Sequence, residues 1–289
     1  MDYQSLLKAV IDSVQQAGER LIAEWQRPHG PRGYGDKADV DTEIEQELRP
    51  MLLELLACDF WGEETGASIS GDQHCWAVDP NDGTADFLKG LKGSAISVGL
   101  LRNGRPVLGV VYAPVTPSRG PDCIAWAEGM ERIYRNGEYL APSLHNAKLS
   151  PESRVMVSAA ARRKPAINAD LCAPAEPLPT TSIAYRLAAV AAGDGVAGVS
   201  LVTTAAHDVV AGHAILLGSG GVLLDQSGVE ISYVSRAGLA VTSTRCFGGA
   251  RAACEELAKR DWSLVFQHSY SMVNSPIEKV TKSSPTTTT

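Results

Sequence analysis

The sequence predicts a mixed α/β (α+β) fold in which amphipathic helices alternate with short buried strands. Apolar residues recur at helical spacing over residues 6–25 and again over residues 183–191, as in helices with one buried face. Between them, apolar runs of β-rich composition are separated by turn residues, as at Arg102-Asn103-Gly104-Arg105. A chain of 289 residues with 44% hydrophobic residues can bury a sizeable core.

The N-terminal half is predicted to contain two helices followed by most of the strands. The first helix ends before Pro28-His29-Gly30-Pro31, and a second is expected over residues 42–57 with a kink at Pro50. Thr42 and Glu45 match a capping box; alternatively, they face a functional site together with Lys37 and Asp41. Strands are expected over residues 75–78, 94–101, 107–112 and 124–127, with a turn at Asn136-Gly137.

The C-terminal half begins with a predicted strand over residues 154–158 and a Pro/Ala-rich connection. We then expect helices over residues 183–193, from Asp208 onwards and over 249–259, and strands over 196–202, 220–225 and 239–242. Residues 1–265 are predicted to form one catalytic domain of two closely packed halves, with their boundary near residues 145–180. The Ser/Thr-rich tail, 266–289, is expected to be disordered.

Composition narrows the class of protein. The net charge is −7 and no Lys/Arg block is present, so we expect no nucleic-acid polymer as a partner. The six cysteines form no C-x-x-C pair, which argues against a zinc site or a disulfide framework and favours free thiols in a reducing cytoplasm. No apolar run approaches the roughly 18 residues that span a bilayer, so no membrane span is expected. The N-terminus, Met1-Asp2-Tyr3-Gln4, has no basic n-region, so export is not expected either.

The central stretch is Trp76-Ala77-Val78-Asp79-Pro80-Asn81-Asp82-Gly83-Thr84. A buried strand ends at Asp79, and Pro80 restricts the turn so that two carboxylates three residues apart can converge. Converging carboxylates favour a hard cation such as Mg²⁺. Gly83 permits close approach, so that the N–H groups of Gly83 and Thr84 face a phosphate. The alternative interpretation is an ordinary turn.

Two further acids are candidates, each with a structural alternative. Glu64 follows the apolar run Phe60-Trp61-Gly62 much as Asp79 follows its strand, although paired glutamates are usually solvated surface residues. Asp208 lies in the first turn of a predicted helix, where the helix dipole favours an acid in any case. His207 is expected to begin that helix with a hydrogen-bonded ring, because magnesium prefers oxygen ligands.

Three motifs, in this order and spacing, resemble the inositol monophosphatase superfamily of magnesium-dependent, lithium-sensitive phosphatases. They are Gly62-Glu63-Glu64-Thr65, Trp76-x-x-Asp79-Pro80-x-Asp82-Gly83-Thr84 and His207-Asp208-x-x-Ala211-Gly212. The resemblance spans about residues 5–260 and implies a layered α-β-α-β-α sandwich, a small phosphorylated metabolite as substrate and a homodimer.

The same resemblance implies roles for individual residues. Two or three Mg²⁺ ions would be held by Glu64, Asp79, Asp82 and Asp208, with the carbonyl of Asn81. Thr84 and Glu45 would orient the attacking water, Asp82 would take part in catalysis, and Gly83 and Thr84 would bind phosphate. Further substrate contacts would come from Lys37, Ser182 and Asp208.

Three departures from the family pattern leave the substrate open. Glu45 stands where the family usually has Asp, and His207 stands where it usually has Trp. Leu201 lies about where animal inositol monophosphatases carry a substrate-contacting Glu, which weakens inositol phosphate as the specific substrate. The alternatives are 3′(2′),5′-bisphosphate nucleotidase activity on phosphoadenosine phosphate and a catalytically silent scaffold. The pocket wall that contacts the leaving group of the substrate is expected around Arg162, Arg163 and residues 182–205.

Overall fold

The computed structural model describes residues 1–267 and confirms the predicted mixed α+β class. Most of the tail predicted to be disordered lies outside the described residues. The helices are α1 (Tyr3–Trp25), α2 (Asp39–Leu55), α3 (Thr84–Phe87), α4 (Pro165–Cys172), α5 (Ile183–Ala191), α6 (Ala206–Gly218), α7 (Arg236–Ala240) and α8 (Arg251–Ala258). Short 3-10 turns cover Ala159–Arg163 and Trp262–Val265.

The strands of the N-terminal half are β1 (Gly33–Tyr34), β2 (Lys37–Ala38), β3 (Asp59–Gly62), β4 (Ala67–Ser68), β5 (His74–Asp82), β6 (Ala95–Arg102), β7 (Arg105–Ala113), β8 (Asp122–Ala127), β9 (Ile133–Arg135) and β10 (Glu138–Leu140). Those of the C-terminal half are β11 (Arg154–Ser158), β12 (Glu176–Thr180), β13 (Ala197–Ser200), β14 (Val222–Asp225) and β15 (Cys246–Gly249).

Two large sheets organise the described residues. The first has eight strands in the order β10-β9-β8-β7-β6-β5-β3-β4, antiparallel except where β3 runs parallel to β5. The second has five strands in the order β12-β11-β13-β15-β14, with β11 parallel to both neighbours. The chain passes from the first sheet to the second between Leu140 and Arg154.

The helices form three layers around these sheets, in agreement with the expected α-β-α-β-α sandwich. One face of the first sheet packs against α1 and α2, whereas α5 and α6 lie between the two sheets, and α4 and α8 pack against the second sheet. Because α6 packs against both sheets and α5, its residues from Val209 to Ala211 are fully buried.

Glycines in the first sheet allow α6 to approach closely. A Cβ atom added at Gly109 would lie 2.2 Å from the carbonyl oxygen of Ala211, and one added at Gly99 would lie 2.5 Å from Val210. The contact therefore requires strand residues without side chains. This packing places the N-terminus of α6 at the tip of β5.

Three elements show most clearly how the structure differs from the sequence-based expectation. Helix α2 begins at Asp39, and its N-terminal cap pairs the Asp41 side chain with the backbone N–H of Ala38, so the predicted Thr42–Glu45 capping box is wrong. Residues 236–240 form α7, which Ser235 caps, instead of the strand expected over 239–242. Strand β12 lies in the Pro-rich connection, where no strand was predicted. None of the helices in residues 1–267 is long and apolar enough to cross a membrane.

Candidate metal and phosphate site

Three acids meet where β5 ends and α6 begins. Asp79 and Asp82 lie on β5, separated by an irregularity in the pairing with β6, and Asp208 lies in the first turn of α6. One carboxylate oxygen from each residue lies within 4.8 Å of the others. The structure thus brings together three acids that are three and 126 residues apart in sequence.

Backbone and hydroxyl donors hold two of these carboxylates in place. Asp82 Oδ2 accepts hydrogen bonds from Ser182 Oγ at 2.5 Å and from the N–H of Ala184 at 2.6 Å. Asp208 Oδ2 accepts one from the N–H of Ala205 at 2.6 Å. Ser182, predicted to contact substrate, therefore contacts Asp82 and also caps α5.

Burial and mutual repulsion make these carboxylates hard to ionise. Burial, followed by the charges of Glu63, Asp82 and Asp208, raises the pKa of Asp79 well above its usual value. Burial and the charge of Asp82 raise the pKa of Asp208 to about 7. A bound cation would relieve both effects, so this donor set fits a divalent ion.

The structure places Glu63, not Glu64, beside Asp79. Strands β3 and β5 are parallel with Gly62 opposite Val78, so the next residue pair in this register is Glu63 and Asp79. Burial, together with the charges of Asp208 and Asp82, raises the pKa of Glu63 to about 7 even though its side chain is exposed to solvent. Glu64 instead accepts a hydrogen bond from Thr42 at 3.2 Å.

A second correction concerns the acid that pairs with Thr84. The hydroxyl of Thr84 lies 2.9 Å from Asp41 Oδ2 and 2.8 Å from the carbonyl oxygen of Asn81, and so can donate its proton to either. Asn81 Nδ2 also donates to Asp41, at 2.9 Å. Burial raises the pKa of Asp41 to about 6. Asp41, and not Glu45, therefore occupies the position predicted for the water-activating acid.

Glu45 lies one helical turn further along α2 and is completely buried. Its carboxylate accepts hydrogen bonds from the backbone N–H groups of Glu64 and Thr65, at 2.9 and 2.7 Å, and from the Thr65 hydroxyl at 2.5 Å. A Cβ atom on Gly62 would lie only 2.0 Å from the Glu45 carboxylate. Glu45 thus supports the loop that presents Glu63.

The turn after Asp82 adopts a backbone conformation that favours glycine. Gly83 adopts φ 96° and lies against Ser182, which makes a larger residue unfavourable. It begins α3, whose first N–H groups have no partner within the helix. Lys37 lies on β2 and is exposed; in residues 1–267 its side chain makes no hydrogen bond or ion pair.

Two buried polar atoms near the acids have no hydrogen-bond partner in the described residues: Asn81 Oδ1 and His207 Nδ1. The expectation of a hydrogen-bonded His207 ring is therefore wrong. His207 Nε2 lies 3.6 Å from Asp208, and burial lowers the pKa of the His207 ring, which favours the neutral imidazole. Each atom could form a hydrogen bond with a water or ligand at the carboxylate cluster.

A cavity of about 310 Å³ lies beside α5, where the leaving-group wall was expected. It contains no acid, and its walls come from the 3-10 turn after β11, the end of β13 and the C-terminal 3-10 turn. The lining includes Arg163, Lys164, Arg186, Leu201, Val202 and Phe266. Arg162 does not line it and donates instead to the carbonyl of Pro179.

The layered α+β fold and the three clustered carboxylates together define the class: an α+β protein with a candidate cation site at the end of a buried strand. A sequence model of the inositol monophosphatase family matches residues 2–264. The chain belongs to the inositol monophosphatase family, whose members are phosphatases acting on phosphoric monoesters.

Individual relatives support this assignment. The chain is 30% identical to inositol monophosphatase 2 of Solanum lycopersicum over 256 residues, which cover 81% of this chain and 92% of that protein. It is 26% identical to the 3′(2′),5′-bisphosphate nucleotidase CysQ of Aggregatibacter actinomycetemcomitans, over 80% of this chain and 88% of that protein.

Other similarities are shorter or show the fold alone. With inositol-1-monophosphatase of Synechocystis, 32% identity extends over 119 residues, 39% of this chain and 42% of that protein. The Thermotoga maritima IMPase structure has a TM-score of 0.71 at 23% identity and covers 90% of this chain and 96% of its own.

Proposed function

We propose that this protein is a Mg²⁺-dependent phosphatase that hydrolyses a small phosphomonoester by direct attack of water. The observation that carries the proposal is the convergence of Asp79, Asp82 and Asp208 within 4.8 Å, next to the Asp41–Thr84 hydrogen bond. These three carboxylates, Glu63 and the carbonyl of Asn81 would hold two or three Mg²⁺ ions. Glu63 takes the role predicted for Glu64, because it is the residue beside Asp79.

Bound Mg²⁺ would lower the pKa of water and neutralise charge on the phosphoryl group. Thr84 orients the attacking water through its hydroxyl, and Asp41 accepts the proton. A carboxyl with a pKa of about 6 is ionised near neutral pH yet remains a useful base. The N–H groups of Gly83 and Thr84 hold the phosphate. The products are an alcohol and inorganic phosphate, without a covalent phosphoenzyme.

The substrate class follows the family: inositol monophosphate or a related sugar phosphate is the first candidate. The cavity beside α5 favours a second candidate, 3′(2′),5′-bisphosphate nucleotidase activity on phosphoadenosine phosphate. Its lining contains no acid that would repel a second phosphate, and Arg163 and Lys164 could pair with one. A scaffold without activity remains the third hypothesis, although four clustered acids without a cation would repel each other.

Phosphate release separates these hypotheses. The purified protein is given inositol 1-phosphate and 3′-phosphoadenosine 5′-phosphate, each with Mg²⁺, with EDTA and with added Li⁺. Release that requires Mg²⁺ and is inhibited by Li⁺ supports the phosphatase proposal, and the preferred substrate identifies the branch. No release from these substrates or from a panel of sugar phosphates would favour the scaffold.

Two further parts of the proposal concern assembly and location. A homodimer is proposed from the family resemblance. The molar mass of the protein, measured by light scattering after size-exclusion chromatography, would test it. The six cysteines, all free in the structure, suit a cytoplasmic location. Fractionation of cells that express the protein would test that location.

A further inference from the structure

Arg186 is a buried cation in the middle of α5, and only 5% of it is exposed. In the part of the chain that the structure describes, its guanidinium pairs with no carboxylate. Its N–H groups donate to three main-chain carbonyls, those of Ser182 at 3.1 Å, Thr181 at 3.0 Å and Val199. Burying an arginine without a carboxylate partner is costly, so core packing alone does not explain it.

The three carbonyls belong to the two segments that support the acidic cluster. Thr181 and Ser182 directly precede α5, whose first turn holds Asp82 through Ser182 Oγ and the N–H of Ala184. Val199 lies on β13, from which the chain runs on to Asp208. One guanidinium therefore ties the backbone that supports Asp82 to the strand that leads to Asp208.

The charge environment connects Arg186 to the same site. Burial lowers the pKa of Arg186, and the negative charge of Asp82 acts most strongly against this decrease. Arg186 also lines the cavity beside α5. It thus lies between the acidic cluster and the proposed leaving-group pocket while its donors are committed to the backbone.

We propose that Arg186 is a positioning residue that sets the cation affinity of the acidic cluster. By holding Thr181, Ser182 and Val199, it fixes the donors on which the Asp82 carboxylate rests. Its N–H groups donate to the backbone, so it acts on the cation through Asp82. This inference rests on the proposed function only in requiring that the acids bind a divalent cation.

Geometry and charge make opposite predictions for Arg186 variants. If the three hydrogen bonds of the guanidinium matter, Arg186→Lys and Arg186→Met both misplace Asp82 and weaken Mg²⁺ binding. The single ammonium of lysine cannot reproduce three carbonyl contacts, and methionine has no N–H donor. If only the positive charge mattered, Arg186→Met would remove a repulsion and bind Mg²⁺ more tightly.

Mg²⁺ binding to the full-length protein is measured in two ways: by titration calorimetry and by the Mg²⁺-dependent increase in Tm. We expect the dissociation constant to increase about tenfold in both variants. At saturating Mg²⁺, kcat should fall while KM for the phosphate ester stays unchanged. Arg260→Met is the control, because Arg260 donates to the backbone carbonyl of Leu171 at 2.6 Å and pairs with Glu256, away from the clustered acids.

Each result has a distinct meaning. Unchanged or tighter Mg²⁺ binding by Arg186→Met would overturn the positioning role, as would an equal loss of affinity in Arg260→Met. If Arg186→Met does not fold, Arg186→Lys alone decides, since it keeps the buried charge. A wild-type protein that binds no Mg²⁺ would instead overturn the proposed function itself.

Discussion

The acidic cluster and the cavity beside α5 share one helix but are built differently. Asp82, Asp208 and Asp41 lie on a strand or in the first turn of a helix, and each accepts a hydrogen bond from a defined donor. The cavity is lined largely by short connecting segments, and Val202 and Phe266 on its rim are exposed. The groups proposed for chemistry are therefore held by defined hydrogen bonds, whereas the rim of the proposed leaving-group pocket is open to solvent.

The largest expected effect comes from Asp82→Asn. The amide can still accept the hydrogen bonds from Ser182 and Ala184 but brings no charge to a cation, so we expect kcat/KM to fall about 10³-fold with little change in Tm. Phosphate release and thermal unfolding measure the two quantities. Asp86→Asn is the control, because half-buried Asp86 pairs with exposed Lys89 and is not one of the clustered acids. Near-normal turnover by Asp82→Asn would show that the site assignment is wrong.

Asp41→Asn and Glu45→Gln test which acid serves Thr84. Loss of the base at Asp41 should lower kcat about 100-fold. In Glu45→Gln one of the two carboxylate oxygens that accept from the N–H groups of Glu64 and Thr65 is replaced by an NH₂ group. This change should reduce the free energy of unfolding by about 1–3 kcal/mol instead. Steady-state kinetics and urea unfolding of both variants check this. The opposite pattern would return the activating role to Glu45.

The pH dependence of stability without metal tests the electrostatics of the cluster. Folding raises the pKa of Glu63 and of Asp208 to about 7, whereas carboxyl groups in unfolded chains titrate near pH 4. The stabilising contribution is thus fully present below about pH 4 and is lost as the pH rises through about 7. We expect Tm in EDTA to fall by about 5 °C between pH 5 and pH 8.

Magnesium should abolish this decrease, because the cation stabilises the ionised carboxylates. Asp208→Asn should make it smaller, since one of the titrating groups is removed. The measurement is thermal unfolding in matched buffers. A Tm that increases with pH in EDTA would contradict the raised pKa values.

The smallest expected effect is a change of substrate preference. Leu201→Glu introduces a carboxylate into a cavity lined by none and near Arg163, which should disfavour a second phosphate and favour a polyol. We expect the ratio of kcat/KM for inositol 1-phosphate to that for 3′-phosphoadenosine 5′-phosphate to rise about tenfold. Val229→Glu, at an exposed apolar position elsewhere, should leave the ratio unchanged. An unchanged ratio in Leu201→Glu would remove the cavity from the proposal.

Local patterns predicted much of the architecture. The helical period over residues 6–25 corresponds to α1, and the turns at Asn103-Gly104 and Asn136-Gly137 both adopt positive φ and join antiparallel strands. Strand β12 was missed because its prolines conceal it, although it lies at the edge of the second sheet, where proline is tolerated. The sequence predicts a strand in place of α7 because this short apolar run has no distinguishing period.

The sequence by itself determined the central stretch of the site. Asp79, Asp82, Gly83 and Thr84 lie within six residues, so turn chemistry and the strand before them were enough to predict that they face one point. Only the tertiary structure decided between Asp41 and Glu45 and between Glu63 and Glu64. The first choice depends on where α2 begins, and the second on the register between β3 and β5. A shift of one residue in a strand turns the neighbouring side chain to the opposite face, and this register is set by contacts distant in sequence.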